Sequence, residues 1–412
     1  MLHAPHPTIR KAPLWLLVMV TISGTLAMHM FVPALPAAAA SLAVSPAAMQ
    51  MAISVYILGL AAGQLVYGPL SDGLGRRPML LVGLALYAVA GAVAATAQSI
   101  HVLVAARLFQ ALGGCAGLAL GRAMVRDVST TTNAVRDLAL LNLMIMVGPG
   151  LAPLIGSTLS AHFGWRSIFI LLAGMGVVTL VCSWTLLPET SQPSGQVSLR
   201  ALANDYRALL RSRAFLGFAF GGGCTTTSVY GFIAAAPFLF VEQLHRSLQE
   251  VGWYLGGLIV GMSVGNALTR RLVRSMALER LLMLGNLLCL ASALGLLAVE
   301  CLGALNVPWV LGLMFLFTLG AGLTSPAAMT KALSVEAHLI GSAAGFYGFM
   351  QMAVGMVCTA AVGWLGSPAL AAAVMLVVAA LLGQASFWLA LGSERRASAK
   401  AAQRAGCQPS QA

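Results

Sequence analysis

The chain has 412 residues, of which 59% are hydrophobic and 8% charged, with a mean hydropathy of +0.90. A soluble domain carries charge on about a quarter of its residues, so this composition excludes a soluble architecture and calls for a bilayer around most of the chain. The net charge of +12, from 23 Lys and Arg against 11 Asp and Glu, would also suit nucleic acid, and the placement of the positive residues decides between the two.

A helix needs about 20 apolar residues to cross about 30 Å of hydrocarbon. Segments of that kind, bounded by charges, Pro or Gly, lie at 14–36, 48–70, 79–97, 102–124, 138–160, 166–187, 214–240, 250–269, 281–301, 307–329, 342–364 and 369–391. The first also resembles a secretory leader, because Arg10 and Lys11 precede an apolar run and Ala38 and Ala40 offer a small-residue cleavage site. Eleven further spans favour a retained first helix.

With the N-terminus placed inside, 20 of the 23 positive residues fall on the inner side, Arg166 and Arg246 lie outside, and Arg107 stands within the fourth span. This asymmetry predicts that both termini are cytoplasmic. It assigns the basic charge to topology and anionic inner-leaflet lipid, with no nucleic acid. The longest polar interruption, 188–213, contains Pro188, Pro193, Gly195 and four arginines and divides the spans six and six. The expected organisation is a cytoplasmic N-terminus (1–13), a first six-helix half (14–187), a cytoplasmic linker (188–213), a second half (214–391) and a polar, Ala-rich tail (392–412) expected to be disordered. GPLSDGLGRR at 68–77 and GNALTRRLVR at 265–274 suggest weakly repeated halves, a transporter arrangement with the substrate site at midplane. The seven cysteines form no CxxC or Cys/His cluster and read as packing residues, with no metal site.

Three stretches carry chemistry. Gly68-Pro-Leu-Ser-Asp72-Gly-Leu-Gly75-Arg76-Arg77-Pro78 is read as a short cytoplasmic turn, in which Gly68 would let helix backbones approach, Gly73 and Gly75 would permit reversal, and Asp72 would face a helix N-terminus or an arginine. It resembles the loop signature of the major facilitator superfamily, where this cluster latches the inner face; a plain positive-inside turn is the alternative. Arg107-Leu-Phe-Gln110-Ala-Leu-Gly-Gly114, continuing to Arg122-Ala-Met-Val-Arg126-Asp127, is similar to the fourth span of the Bcr/CflA-type drug exporters of that superfamily. An unpaired guanidinium at the bilayer centre costs roughly 2.5–3.5 kcal/mol. Arg107 therefore either faces a polar group, modulating a proton site or holding an anionic substrate group, or snorkels outward. Gly148-Pro149-Gly-Leu-Ala-Pro153-Leu-Ile-Gly156 looks like the antiporter element of the fifth span, and the resemblance implies a bent helix that seals the pathway.

Span one ends Met28-His29-Met30-Phe31-Val-Pro33-Ala-Leu-Pro36, where the Bcr/CflA pattern usually has an aspartate at the position of His29. None of the 11 acids lies mid-span. His29 titrates near neutrality when unperturbed, so three readings stay open: His29 carries the coupling proton with Arg107, coupling is lost, or His29 hydrogen-bonds the backbone near the Pro33 break. Candidate pocket residues are Met28, Phe31, Tyr56, Gln110, Asn142, Tyr230, Phe232, Tyr347 and Gln351, weighed against ordinary packing.

The resemblance implies an all-α polytopic protein of twelve transmembrane helices in two pseudo-symmetric six-helix halves. It further implies a secondary exporter of small organic molecules of the chloramphenicol or bicyclomycin kind. Such an exporter works by proton antiport and alternating access, as a monomer in the bacterial inner membrane, with no cofactor beyond the proton gradient. Rivals are an exporter or uncoupled facilitator of one endogenous metabolite, an intramembrane enzyme, which the acid positions disfavour, and a channel, for which no filter sequence is present.

Overall fold

In hydrocarbon every backbone N–H and C=O must be satisfied within the segment, and the computed structural model answers this with consecutive helices. It describes residues 13–128, 131–190, 199–335, 339–363 and 367–406; the side chains of Arg126 and Asn142 lie outside the described residues, as do Arg10 and Lys11.

The first span consists of α1 (Leu14–Phe31) and α2 (Leu35–Ser41), joined by a 3-10 turn at Val32–Ala34. Pro33 and Pro36 remove the donors that a continuous helix would need there. Helix α3 (Pro46–Leu74) starts on Ser45, whose Oγ accepts from the Ala48 amide at 3.2 Å, with Pro46 in the first turn. Helices α4 (Arg76–Ala95), α5 (Ile100–Val128), α6 (Thr131–Phe163) and α7 (Arg166–Leu186) follow, then a shorter α8 (Leu199–Arg211). The seventh span is α9 (Arg213–Thr226) and α10 (Val229–Phe238), interrupted at 227–228 and closed by a π turn at Leu239–Gln243 after Pro237. The last five spans are α11 (Leu248–Leu272), α12 (Leu278–Cys301), α13 (Val307–Val335), α14 (Ile340–Val362) and α15 (Pro368–Gly406).

Eleven of these spans are long and apolar enough to cross a membrane among the described residues, and α6 occupies the position of the predicted fifth span. Val82, Ile170, Trp184, Trp253 and Leu389 are each more than 60% exposed. An outer surface this apolar is suited to lipid.

One feature adds to the expected organisation and one departs from it. The linker region contains α8, and the tail expected to be disordered continues α15 as helix to Gly406. The tail's polarity suggests disorder, but its Ala, Lys, Arg and Gln are among the better helix formers, and a helix already nucleated in the membrane adds such residues without a new nucleus. Contacts divide the chain into one unit of Met1–Leu199 with Ala236–Ile259 and another of Arg200–Ala235 with Val260–Ala412. This differs from a division at 188–213 by assigning Ala236–Ile259 to the first unit. In the first unit α5 packs against α1, α3 and α4, α4 also touches α7, and α1 lies along α6. In the second, α9 packs against α13, α14 and α15, and α12 against α13 and α15.

Candidate functional site

Arg107 is 0% exposed and does not snorkel. Its guanidinium lies 3.8 Å from the Tyr56 ring centroid, 5.6 Å from that of Phe31 and 5.7 Å from that of Phe169. Nη1 donates to Gln110 Oε1 at 2.7 Å, while Nε and Nη2 have no hydrogen-bond partner. The cage is tied to its neighbours: Tyr56 donates its hydroxyl to the Gly24 carbonyl at 2.7 Å, and the Phe31 ring lies tilted against Phe169 with centroids 4.8 Å apart. Gly114 of α5 makes this approach possible, because a Cβ there would lie 2.9 Å from the Cα of Gly24 on α1. The predicted residues Phe31, Tyr56 and Gln110 are thus gathered round Arg107. The polar partner expected for Arg107 is an amide, and aromatic faces supply the rest through cation–π attraction.

His29 is buried, and its Nδ1 lies 2.9 Å from the Thr25 carbonyl oxygen. A carbonyl only accepts, so Nδ1 carries the proton of the neutral ring and Nε2 is the atom that takes a second proton. The same turn of α1 is gripped by α6. A Cβ on Gly148 would meet Thr25 Oγ1 at 3.3 Å, and one on Gly156 would collide with the Met30 carbonyl. Pro149 and Pro153 lie between them within α6. The antiporter-like element and His29 therefore share one helix–helix contact. Met28 is buried in the same helix.

The stretch read as a cytoplasmic turn is mostly helix. Gly68, Asp72 and Gly73 lie in α3, and the reversal falls on Gly75 alone, at φ +103°. Gly68 admits no close backbone, since a Cβ there would meet nothing within 4 Å. Its expected packing role and the turn role of Gly73 are both corrected. Arg76 is the hub: Nη2 meets Asp72 at 2.7 Å, Nε meets Asp127 at 3.2 Å, and Nη1 donates to Ser71 Oγ at 2.5 Å. Arg77 instead donates to the Trp184 carbonyl at 2.6 Å, and Arg122 is exposed.

Sequence reasoning missed Glu189, whose carboxylate accepts from the amides of Arg76 and Arg77 at 3.0 and 3.1 Å. It caps the first turn of α4 from 112 residues away. The available signal is scarcity: in a chain with 11 acids, one just past the end of a span is expected to have a partner. Loss of a cap of this kind costs about 1 kcal/mol. Glu189→Ala should lower the melting temperature in detergent, with Glu189→Gln intermediate because it keeps one acceptor oxygen. An unchanged melting temperature for both would remove Glu189 from the cap.

The second unit holds its own polar core. Gln351 donates to Thr226 Oγ1 at 2.9 Å and to the Tyr347 hydroxyl at 3.3 Å, and Thr227 Oγ1 donates to the Gln351 carbonyl at 2.6 Å. These bonds gather two predicted residues at the break between α9 and α10, with the Tyr230 ring close to Gly355 one turn along α14. Phe232 is buried apart from these hydrogen bonds. A further network was missed: Asn286 receives the Thr225 hydroxyl at 2.7 Å and donates to Gln384 at 2.7 Å and the Ala380 carbonyl at 3.0 Å. Also missed was an ion cluster in which Lys331 meets Glu279 and Glu394, each at 3.1 Å. Helix breaks at corresponding first and seventh spans, each beside buried polar groups, are the usual construction of a transporter's substrate-contacting segments.

Such a bundle of long apolar helices is that of a multi-pass membrane protein, and the comparisons give its family. Residues 17–360 match the Major Facilitator Superfamily model, and the chain belongs to that family. It is therefore a transporter and not an enzyme. It is 31% identical over 343 residues to Multidrug resistance protein D of Escherichia coli (82% of this chain, 85% of the relative). It is 26% identical over 330 residues to the Bicyclomycin resistance protein homolog of Haemophilus influenzae (80% and 83%). The crystal structure of a D-xylose-proton symporter shares the fold, with a TM-score of 0.69, 15% identity and coverage of 90% of this chain and 96% of that one. The twelve-helix fold and the resemblance to the Bcr/CflA branch expected from the sequence both hold.

Proposed function

We propose that this protein exports small organic molecules by alternating access, driven by inward movement of protons, as a monomer in a bacterial inner membrane with both termini cytoplasmic. The observation that carries the reading is the placing of His29 on the α1 turn held by Gly148 and Gly156 of α6, with Nδ1 committed to the Thr25 carbonyl. A proton arriving at Nε2 puts positive charge into a close contact between two helices. A helix contact whose charge changes with protonation is a two-state element of the kind that coupling requires.

Arg107 supplies a fixed positive charge elsewhere in the same unit, and its unpartnered Nε and Nη2 face no competing carboxylate among the described residues. The cluster of Asp72, Arg76, Asp127 and Glu189 acts as the inner latch of this unit. The names of the relatives, a multidrug and a bicyclomycin resistance protein, support a drug-like substrate. The test is substrate-induced proton movement in proteoliposomes, screening chloramphenicol-like compounds, organic cations and small metabolites. Collapse of a preset pH gradient should occur with the native protein and disappear in His29→Ala, while His29→Asp, which restores the common residue of the branch, should retain it.

A second reading is an uncoupled facilitator or an exporter of one metabolite. It is favoured by the lack of any acid in mid-span. Labelled substrate crossing without proton movement in the native protein would establish it.

A further inference from the structure

On the second unit, α9 and α15 diverge to leave a groove of ≈ 940 Å³. Its walls are two helical stripes: Arg213, Leu216, Gly217 and Phe220 on α9, and Ser386, Leu389, Ser393 and Arg396 on α15, with Trp388 alongside. Both stripes follow the three- and four-residue spacing of one helix face. The floor is closed where Gly217 meets α15, since a Cβ there would lie 2.8 Å from both Ala390 Cβ and the Ser386 carbonyl. The side remains open at Gly392, where a Cβ would meet nothing within 4 Å.

Charge and apolarity are segregated along this groove. Arg213 opens α9 and Arg396 lies toward the end of α15, so both guanidiniums stand at the end assigned to the cytoplasm. Phe220, Leu389 and Trp388 line the deeper part. From Arg396 to Ser386 the groove runs about 15 Å along the helix, roughly one leaflet of hydrocarbon. Trp388 and Leu389 are 67% and 74% exposed. Among the described residues neither Arg213 nor Arg396 pairs with a carboxylate, although the adjacent Arg395 meets Glu279 at 3.5 Å. Arg213 is also the first residue of a 14-residue helix capped by Ser212, so backbone donors and the helix dipole add to the positive potential.

We propose that this groove binds one anionic phospholipid of the inner leaflet, with its phosphate between Arg213 and Arg396 and an acyl chain along Phe220, Leu389 and Trp388. Guanidiniums bind phosphate through paired N–H donors. The apolar floor selects an amphiphile over a soluble phosphate.

The test is native mass spectrometry of the full chain in detergent, titrated with phosphatidylglycerol and with phosphatidylcholine of the same chain length. Phosphatidylglycerol should bind as a single retained lipid about tenfold more tightly than phosphatidylcholine. The Arg213→Gln/Arg396→Gln variant should lose that preference. Arg270→Gln/Arg271→Gln, which removes the same charge from another cytoplasmic helix end, should keep it. Four results would overturn the proposal: equal binding of the two lipids, retention of phosphatidylglycerol by the groove variant, an equal loss in the control variant, or displacement of the lipid by glycerol phosphate at equal concentration.

Discussion

Arg107→Met is expected to raise the melting temperature of the protein and to cut transport by more than about tenfold. Arg107 is fully buried with two donor nitrogens lacking partners. Each orphaned donor costs about 1–3 kcal/mol, and exchanging buried ionic groups for apolar ones of similar volume is often stabilising by about 1–4 kcal/mol. Against this stand the cation–π contacts, worth about 0.5–2 kcal/mol, and the cost of leaving Gln110 Oε1 without its donor. The first pair of terms outweighs the second. Methionine also fits an aromatic cage, because its thioether packs favourably against ring edges. Arg107→Met/Gln110→Leu removes the stranded amide and should be more stable still. A residue retained at such cost is expected to be needed for activity, so transport by Arg107→Met should fall by more than about tenfold. A variant that melts lower and still transports would show that the guanidinium is only a brace for the cage.

The second large effect is expected at Gly156. Its Cβ would enter the Met30 carbonyl of α1, and a backbone atom in a packed helix yields little. Overpacking of this kind costs about 1–3 kcal/mol, occasionally more, which exceeds the gain of about 1 kcal/mol from replacing a helical glycine with alanine. Gly156→Ala should therefore lower the melting temperature and spread the contact that carries His29, reducing transport with it. Gly148→Ala, whose Cβ would lie 3.3 Å from the Thr25 hydroxyl, should cost less. Gly68→Ala, with nothing within 4 Å, should melt at or above the native protein although it alters a residue of the family signature. Native-like melting and transport by Gly156→Ala would refute the proposed α1–α6 contact.

The contrast among these glycines shows what sequence reading reached. Gly68, Gly75, Gly148 and Gly156 all stand in recognisable motifs, which read as close helix approach at Gly68, reversal at Gly75 and a bent, sealing helix at Gly148 and Gly156. Only their neighbours separate them: Gly75 makes the reversal at positive φ, Gly156 admits a helix backbone, and Gly68 faces open space. Phe31, Tyr56 and Gln110 were nominated for a pocket by residue type, and the structure makes them the cage of Arg107. Glu189 and Lys331 escape a sequence reading because their long-range partners lie at least 112 and at least 52 residues away, too far along the chain for one short motif to hold both members of a pair.

What the sequence determined by itself is the membrane class, the position of the twelve spans and the family. These follow from local quantities, since the hydrocarbon thickness fixes how many apolar residues a helix must supply, and the signature motifs are contiguous. The tertiary structure alone decided which face each helix turns inward, where the seventh span breaks, and which charges meet. Spans that are apolar all round carry almost no signal about their rotation. The partners of Arg107, His29 and Arg76 are therefore set by packing between helices distant in the chain.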